Sequence, residues 1–180
     1  MRKLSEDDIR GFIAAIGDDP DRRELKDTPR LLLEILTKCF AGYAHNSLDS
    51  LITPMESCCT ESLVVLKDIP FFSFCEHHIL PISGNISVGY VPDAFITSIG
   101  SIKRLVHACT RRLQMQERIC TQIATALDRV LSPKGVIVYA TARHMCMMHN
   151  DGIFDASAKT GVFLDNQRTE IQEFFCVIKK

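Results

Sequence analysis

Apolar positions along the chain fall into three textures. In "EDDIRGFIAAIG" Ile9, Phe12, Ile13 and Ile16 recur at helical spacing, so a first helix is predicted that ends at Gly17. "DDPDRRELKD" has no apolar period and reads as a polar linker. In "DTPRLLLEILTKCF" Thr28 is the expected N-cap and Pro29 the first helical residue, where a missing N–H costs nothing; this helix should run to about Phe40. Residues 41–61 carry little periodic signal and read as loop. From residue 62 strands dominate: "ESLVVLKDI", then "GNISVGYVP" with Ile86, Val88 and Tyr90 alternating. Two helices follow, at about 99–110 (Ile102, Leu105, Val106 and Cys109 on one side) and 115–131 (Ile119, Ile123, Ala126, Leu127 and Val130 inward). "KGVIVYATARHMCMM" and the closing "TEIQEFFCVIKK" read as two further strands.

Strand, strand, helix, helix, strand, strand predicts an α+β fold, an antiparallel sheet with two helices on one face. An N-terminal helical extension (1–45) precedes this single globular unit (46–180). There is no internal repeat. A net charge of −1 supplies no global positive field for nucleic acid. No apolar run approaches the roughly 18 residues of a membrane span. The start "MRKLSEDDIR" turns acidic where a secretory signal becomes apolar, so a cytoplasmic protein is expected. Its eight cysteines are then expected as thiols or metal ligands. The pair Cys58–Cys59 lacks a partner at metal-ligand spacing and reads as ordinary thiols.

The chemistry concentrates in "SFCEHHIL". In a tight turn after a strand, residues i and i+3 converge, which brings Cys75 and His78 together and leaves His77 pointing elsewhere. On the later strand His144 and Cys146 are two apart and share a face with Val136, Val138, Ala140 and Ala142. Cys75, His78 and one of His144 or Cys146 make three ligands. Three protein ligands with an open position is the pattern of catalytic zinc, and thiolate with imidazole suits Zn²⁺ over Mg²⁺ or Ca²⁺. The plainer readings are a closed structural site using Cys75, His78, His144 and Cys146, or no metal at all. Left-over histidines are placed to shuttle protons.

"CEHH" after a strand, "QMQERI" opening a helix and "HMC" on a later strand resemble the GTP cyclohydrolase I family. So do the leading "IGDDPDRRELKDTPR" with "FAGY", and "ISVGYVPD" after the CEHH turn; the resemblance spans nearly the whole chain. It implies the tunnelling fold, assembled as a homodecamer of two pentameric rings with sites between subunits. It also implies Cys75, His78 and Cys146 as zinc ligands and His77 and His144 as catalytic histidines. Water activated by the metal would add to C8 of a guanine nucleotide, C8 would leave as formate, and the remaining atoms would close to 7,8-dihydroneopterin triphosphate, with Zn²⁺ the cofactor. Glu117 matches the carboxylate that takes the guanine N1 and N2 donors; an ionised carboxylate accepts two N–H bonds at once, a pattern adenine does not offer. Gln116 beside it is a second candidate contact. Without the other motifs, Glu117 and Arg118 read as solvated first-turn residues. His45, His107 and His149 have no motif support.

The departures cluster at the phosphate end. Where the family has Ser-Lys this chain has Gly100-Ser101, although Arg104 matches the phosphate-binding arginine. Where an Arg-Gly pair follows the "HMC" cysteine, this chain has Asn150 and Asp151 before Gly152, and "DASAKTGVF" is shorter than usual. Charge-assisted bonds contribute roughly 1.5–3 kcal/mol each, so two missing cations remove on the order of 3–6 kcal/mol of triphosphate binding. Lys103, Arg143 and Lys159 are the candidates to replace them. The alternatives to the parent activity are a paralogue acting on a guanine-type substrate with fewer phosphates, a nitrile reductase of the same fold with Cys75 as nucleophile, or a non-enzymatic relative.

Overall fold

The computed structural model describes residues 4–57, 62–147 and 152–179. Cys58, Cys59, His149, Asn150 and Asp151 lie outside them. Two compact units are present, Met1–Ala41 and Gly42–Lys180.

In the first unit α1 (Glu6–Ala15) starts at a capping box: Asp8 N–H bonds Ser5 Oγ at 3.3 Å and Ser5 N–H bonds Asp8 Oδ2 at 2.8 Å. Its buried residues are Ile9 and Ile13, and Gly17 beyond it takes φ +96°. α2 runs from Thr28 to Cys39 with Asp27, not Thr28, at the cap. Thr28 and Pro29 are therefore both inside the first turn, where neither needs a backbone donor.

The second unit contains, in order, β1 (Pro54–Glu56), β2 (Val64–Cys75), β3 (Pro81–Val91), β4 (Phe95–Thr97), α3 (Ile99–Thr110), β5 (Leu113–Gln114), α4 (Gln116–Leu131), β6 (Gly135–His144), β7 (Phe154–Lys159) and α5 (Thr169–Ile178). β1 and β4 form a small ribbon. The main sheet has the order β5-β2-β3-β6-β7, antiparallel except for the short parallel β2–β5 pair. One face buries Ile82, Ile86, Val88, Val136 and Val138 beneath α3 and α4. The helices meet it with Leu105, Val106, Ile119, Ile123 and Leu127, all fully buried. No described helix is long and apolar enough to cross a membrane.

The last segment is helix, not the strand expected. Ile171, Phe174, Phe175 and Ile178 fall at i, i+3, i+4 and i+7, and they close a second core with Val91, Ile137 and Phe163 on the other sheet face. The aromatic and β-branched run "FFCVI" imitates a strand, but burial on one side only is what that segment provides. Conversely β7 (Phe154–Lys159) was not expected, although Phe154, Ala156 and Ala158 alternate there with Asp155, Ser157 and Lys159. Its inward residues Ala156 and Ala158 are small because α4 lies against them, with Cys120 Sγ 3.6 Å from Ala156 O.

The sheet is drawn tight next to the site. A Cβ on Gly84 would lie 2.0 Å from Thr141 O and 2.6 Å from Ala142 Cα, both backbone atoms of β6. Gly84→Ala is expected to cost at least about 2 kcal/mol through forced strand separation, seen as a lower urea midpoint. An unchanged midpoint would show that β3 and β6 separate freely here.

Candidate active site

Register brings the two distant motifs to one end of the sheet. β2 ends at Cys75, β3 starts at Pro81 beside it, and Ile82 pairs with His144 at the end of β6. The intervening turn is closed by Ile79 N–H to Cys75 O and Cys75 N–H to Leu80 O, both 2.8 Å. Ile79 is held at φ 55°, a conformation unusual for a β-branched residue, by these two bonds. β5 pairs Gln114 with Cys75, and Glu76 N–H bonds Gln114 O at 3.1 Å. The start of α4 is thereby fastened to the same turn.

Cys75, His78 and Cys146 form a group that can hold a metal ion, their ligand atoms all within 4.8 Å of one another. Among the described residues no fourth such side chain joins the group. β6 stops at His144, and Cys146 lies in a 3₁₀ turn, Met145–Met147. That turn, rather than a continued strand face, carries the sulfur to the others. His77 is less averted than the i, i+3 turn geometry suggests: its Nδ1 lies 3.8 Å from Cys75 Sγ, against 3.7 Å for His78 Nδ1, although its side chain is 63% exposed. Glu76, between the sulfur and the imidazoles, makes a two-bond ion pair with Arg118, the second bond 3.1 Å long. Arg118 is thus engaged rather than freely solvated.

The two thiols sit in unequal surroundings. Burial pushes the Cys75 thiol up, but hydrogen bonds from His78, from the backbone N–H groups of His77 and His78, and from Cys146 outweigh it and leave Cys75 below the ordinary range. Burial and then the neighbouring Cys75 push Cys146 above it. A divalent cation held between them would draw both to thiolates.

One cleft of about 360 Å³ holds Cys75, His77, His78, Gln116, Glu117, His144 and Cys146 in its lining. Gln114, Met115, Met147, Phe154 and Asp155 also line it and were not singled out by the sequence. Gln114 and Met115 were within reach, inside "QMQER"; Phe154 and Asp155 belong to β7, a short strand that was not expected. His144 Nε2 lies 2.8 Å from Gln116 Oε1, and its ring meets Phe154 edge-on at 5.4 Å. Burial pushes the His144 imidazole below its usual range, with Glu117 opposing. Ser101 and Arg104 do not line this cleft. On α3 the buried Ser101 hydroxyl accepts from Arg104 Nη2 at 3.0 Å. Lys103, Arg143 and Lys159 are not in the lining either: Arg143 faces a groove with Ser83 and Thr141, and Lys159 donates to Asn166 at 3.1 Å.

Comparison with known proteins agrees with this geometry. The family model described as GTP cyclohydrolase I matches residues 5–178. A relative from Wolinella succinogenes named GTP cyclohydrolase 1 is 41% identical over 94% of this chain and 92% of its own length. A second from Helicobacter pylori, of the same name, is 36% identical over 93% of this chain and 96% of its own. Among solved structures, an apo archaeosine synthase QueF-Like superposes with a TM-score of 0.50 at 22% identity, covering 56% of this chain and 94% of that one, which is a likeness of fold. The fold is thus the tunnelling fold that the sequence leads one to expect, and the chain belongs to the GTP cyclohydrolase I family.

Proposed function

We propose that this protein is a zinc-dependent GTP cyclohydrolase I, which hydrolyses the guanine imidazole ring at C8, releases C8 as formate and lets the remainder close to 7,8-dihydroneopterin triphosphate. The net reaction consumes one water and needs no redox partner. The observation that carries the reading is a Cys75–His78–Cys146 cage facing Glu117 and His144 across a single cleft. Two sulfurs and one nitrogen suit zinc. The 3.7 Å from Cys75 Sγ to His78 Nδ1 is close to the edge of about 3.6 Å that tetrahedral Zn–S and Zn–N bonds span. Bound there, zinc would supply a water ionised near neutral pH.

The chain's own residues do the rest. Glu117, exposed at the first turn of α4, accepts from guanine N1 and N2. His144 takes up and returns protons at the reacting ring, and His77 is the second imidazole in reach. Ser101 and Arg104 belong to this reading through the assembly: in a homodecamer of two pentamers with sites between subunits, they would serve the cleft of a neighbouring copy.

The purified protein is expected to carry about one zinc per chain and to release formate from GTP with appearance of a dihydropterin absorbance. Absence of both metal and formate would sink the proposal. Glu117→Ala is expected to raise KM for GTP about 10²-fold, because two charge-assisted bonds of at least about 1.5 kcal/mol each are lost. Zinc content should not move; an unchanged KM would remove Glu117 from the guanine site.

A second reading is supported by the missing phosphate-end cations and by a cleft whose lining includes none of Lys103, Arg104, Arg143 or Lys159. It gives the same ring opening on a substrate with fewer phosphates. Comparable kcat/KM for guanosine and GTP would favour it, and a steep fall from GTP through GMP to guanosine would exclude it.

A further inference from the structure

Gln116 is 2% exposed at the start of α4, whereas Glu117, one residue on, faces solvent. Both hydrogens of its amide nitrogen are engaged: Nε2 donates to Ala140 O at 2.9 Å and to Phe154 O at 2.9 Å. Two carbonyl acceptors settle which end of the amide is which, because turning it over would set Oε1 against two other oxygens. The atom 2.8 Å from His144 Nε2 is therefore Oε1. A carbonyl oxygen only accepts, so His144 Nε2 must carry a proton, and in the neutral imidazole Nδ1 then holds the lone pair.

We infer that Gln116 is a positioning residue that locks His144 in its Nε2–H tautomer and fixes its ring plane, so that His144 exchanges protons with the substrate through Nδ1. This rests on the proposed ring-opening reaction for its consequence in turnover, but not for the tautomer itself. Three anchors make the lock rigid. Ala140 lies in β6, four residues before His144; Phe154 opens β7; and the Phe154 ring stands edge-on to the imidazole. Gln116 thus ties the helix start to the last strand pair where their ladder ends, at Ala142 and Phe154. A glutamate here would lack the two donors, and an asparagine would be one carbon too short to span the same three partners. With both side-chain donors occupied inside the protein, the Gln116 amide has no N–H left for a ligand, so any substrate contact from this position would come from its backbone N–H.

The test uses Gln116→Met, similar in length and without a hydrogen-bonding amide, in the zinc-loaded protein. Expected is a fall of about 10²-fold in kcat for formate release from GTP, the scale of a misdirected general acid–base. KM should stay within about twofold and zinc per chain near that of the parent, with a melting temperature lowered by the buried carbonyls left without donors. A KM raised tenfold or more, or an unchanged kcat, overturns the inference. Should the variant fail to fold, the parent protein answers instead. With ¹⁵N-labelled histidine, solid-state NMR reads each tautomer directly, and the His144 signals are those missing from His144→Ala. A protonated Nε2 with a bare Nδ1 is expected; the opposite tautomer overturns the inference. If the parent releases no formate from GTP, the proposed reaction fails while the NMR reading still decides the tautomer.

Discussion

Cys146→Ala is expected to leave the protein without zinc and without measurable formate release. The cage has three described ligands, and removing one sulfur leaves a thiol and an imidazole, too few to hold a structural or catalytic zinc at the trace levels of free metal in ordinary buffer. The loss should be clean, because Cys146 sits in a short turn just beyond the end of β6 and is only half-buried. Its side chain borders the core without being enclosed by it, so far-ultraviolet dichroism should match the parent. Metal analysis should fall from about one zinc per chain to below about a tenth. A chelator should lower the melting temperature of the parent and leave that of the variant unmoved, since a ligand stabilises only the protein that binds it. Cys146→Ser sharpens the comparison: it keeps the shape but offers a hydroxyl in place of the soft thiolate, and it too should arrive metal-free. Zinc retained at parental stoichiometry in Cys146→Ala would mean that another side chain completes the cage.

That cage was readable in the sequence because its residues are of unusual chemistry at short spacings on either side of a recognisable pattern. Cys75 and His78 share one turn, and the apolar stripe Val136, Val138, Ala140, Ala142 runs straight to His144. Spacing alone left His144 and Cys146 as equal candidates for the third ligand. The difference lies in a 3₁₀ turn after the strand, which has no hydropathy signal. The four helices up to residue 131 were legible for the same reason that they are stable: each has an apolar stripe at helical period. The closing helix was misread as a strand because Phe174, Phe175, Val177 and Ile178 favour strands locally, while the outer sheet face decides the matter by burying Ile171 and Phe174 on one side. β7 was missed because its alternation, Phe154, Ala156 and Ala158 against Asp155, Ser157 and Lys159, is short and two of its three inward residues are alanines, which give little hydropathy contrast. Gln116 was noticed for its neighbour rather than for its bonds; its three partners come from β6 and β7, which only folding brings to it. Of the departures at the phosphate end, Gly100 and Ser101 lie in the first turn of α3, and Asn150 and Asp151 lie outside the described residues.

His144→Ala should show the complementary phenotype: zinc retained and formate release reduced by about 10²–10⁴-fold, the contribution of a positioned general acid–base. The structure separates the two residues although they are two apart in sequence. Cys146 joins Cys75 and His78, whereas the His144 ring is turned to Gln116 and Phe154, and its Nε2 is engaged with Gln116. Removing the imidazole therefore takes away a proton carrier and no ligand. Metal content near one zinc per chain beside a collapsed kcat is the result that assigns His144 to the chemistry; loss of the metal would return it to the cage and revive the closed four-ligand site. Because alanine leaves an imidazole-sized space in a cleft of about 360 Å³, added imidazole should restore part of the rate in His144→Ala. It should do nothing for Cys146→Ala, where the missing element is the ion. Rescue of the first variant and not the second would separate proton transfer from metal binding within a span of three residues.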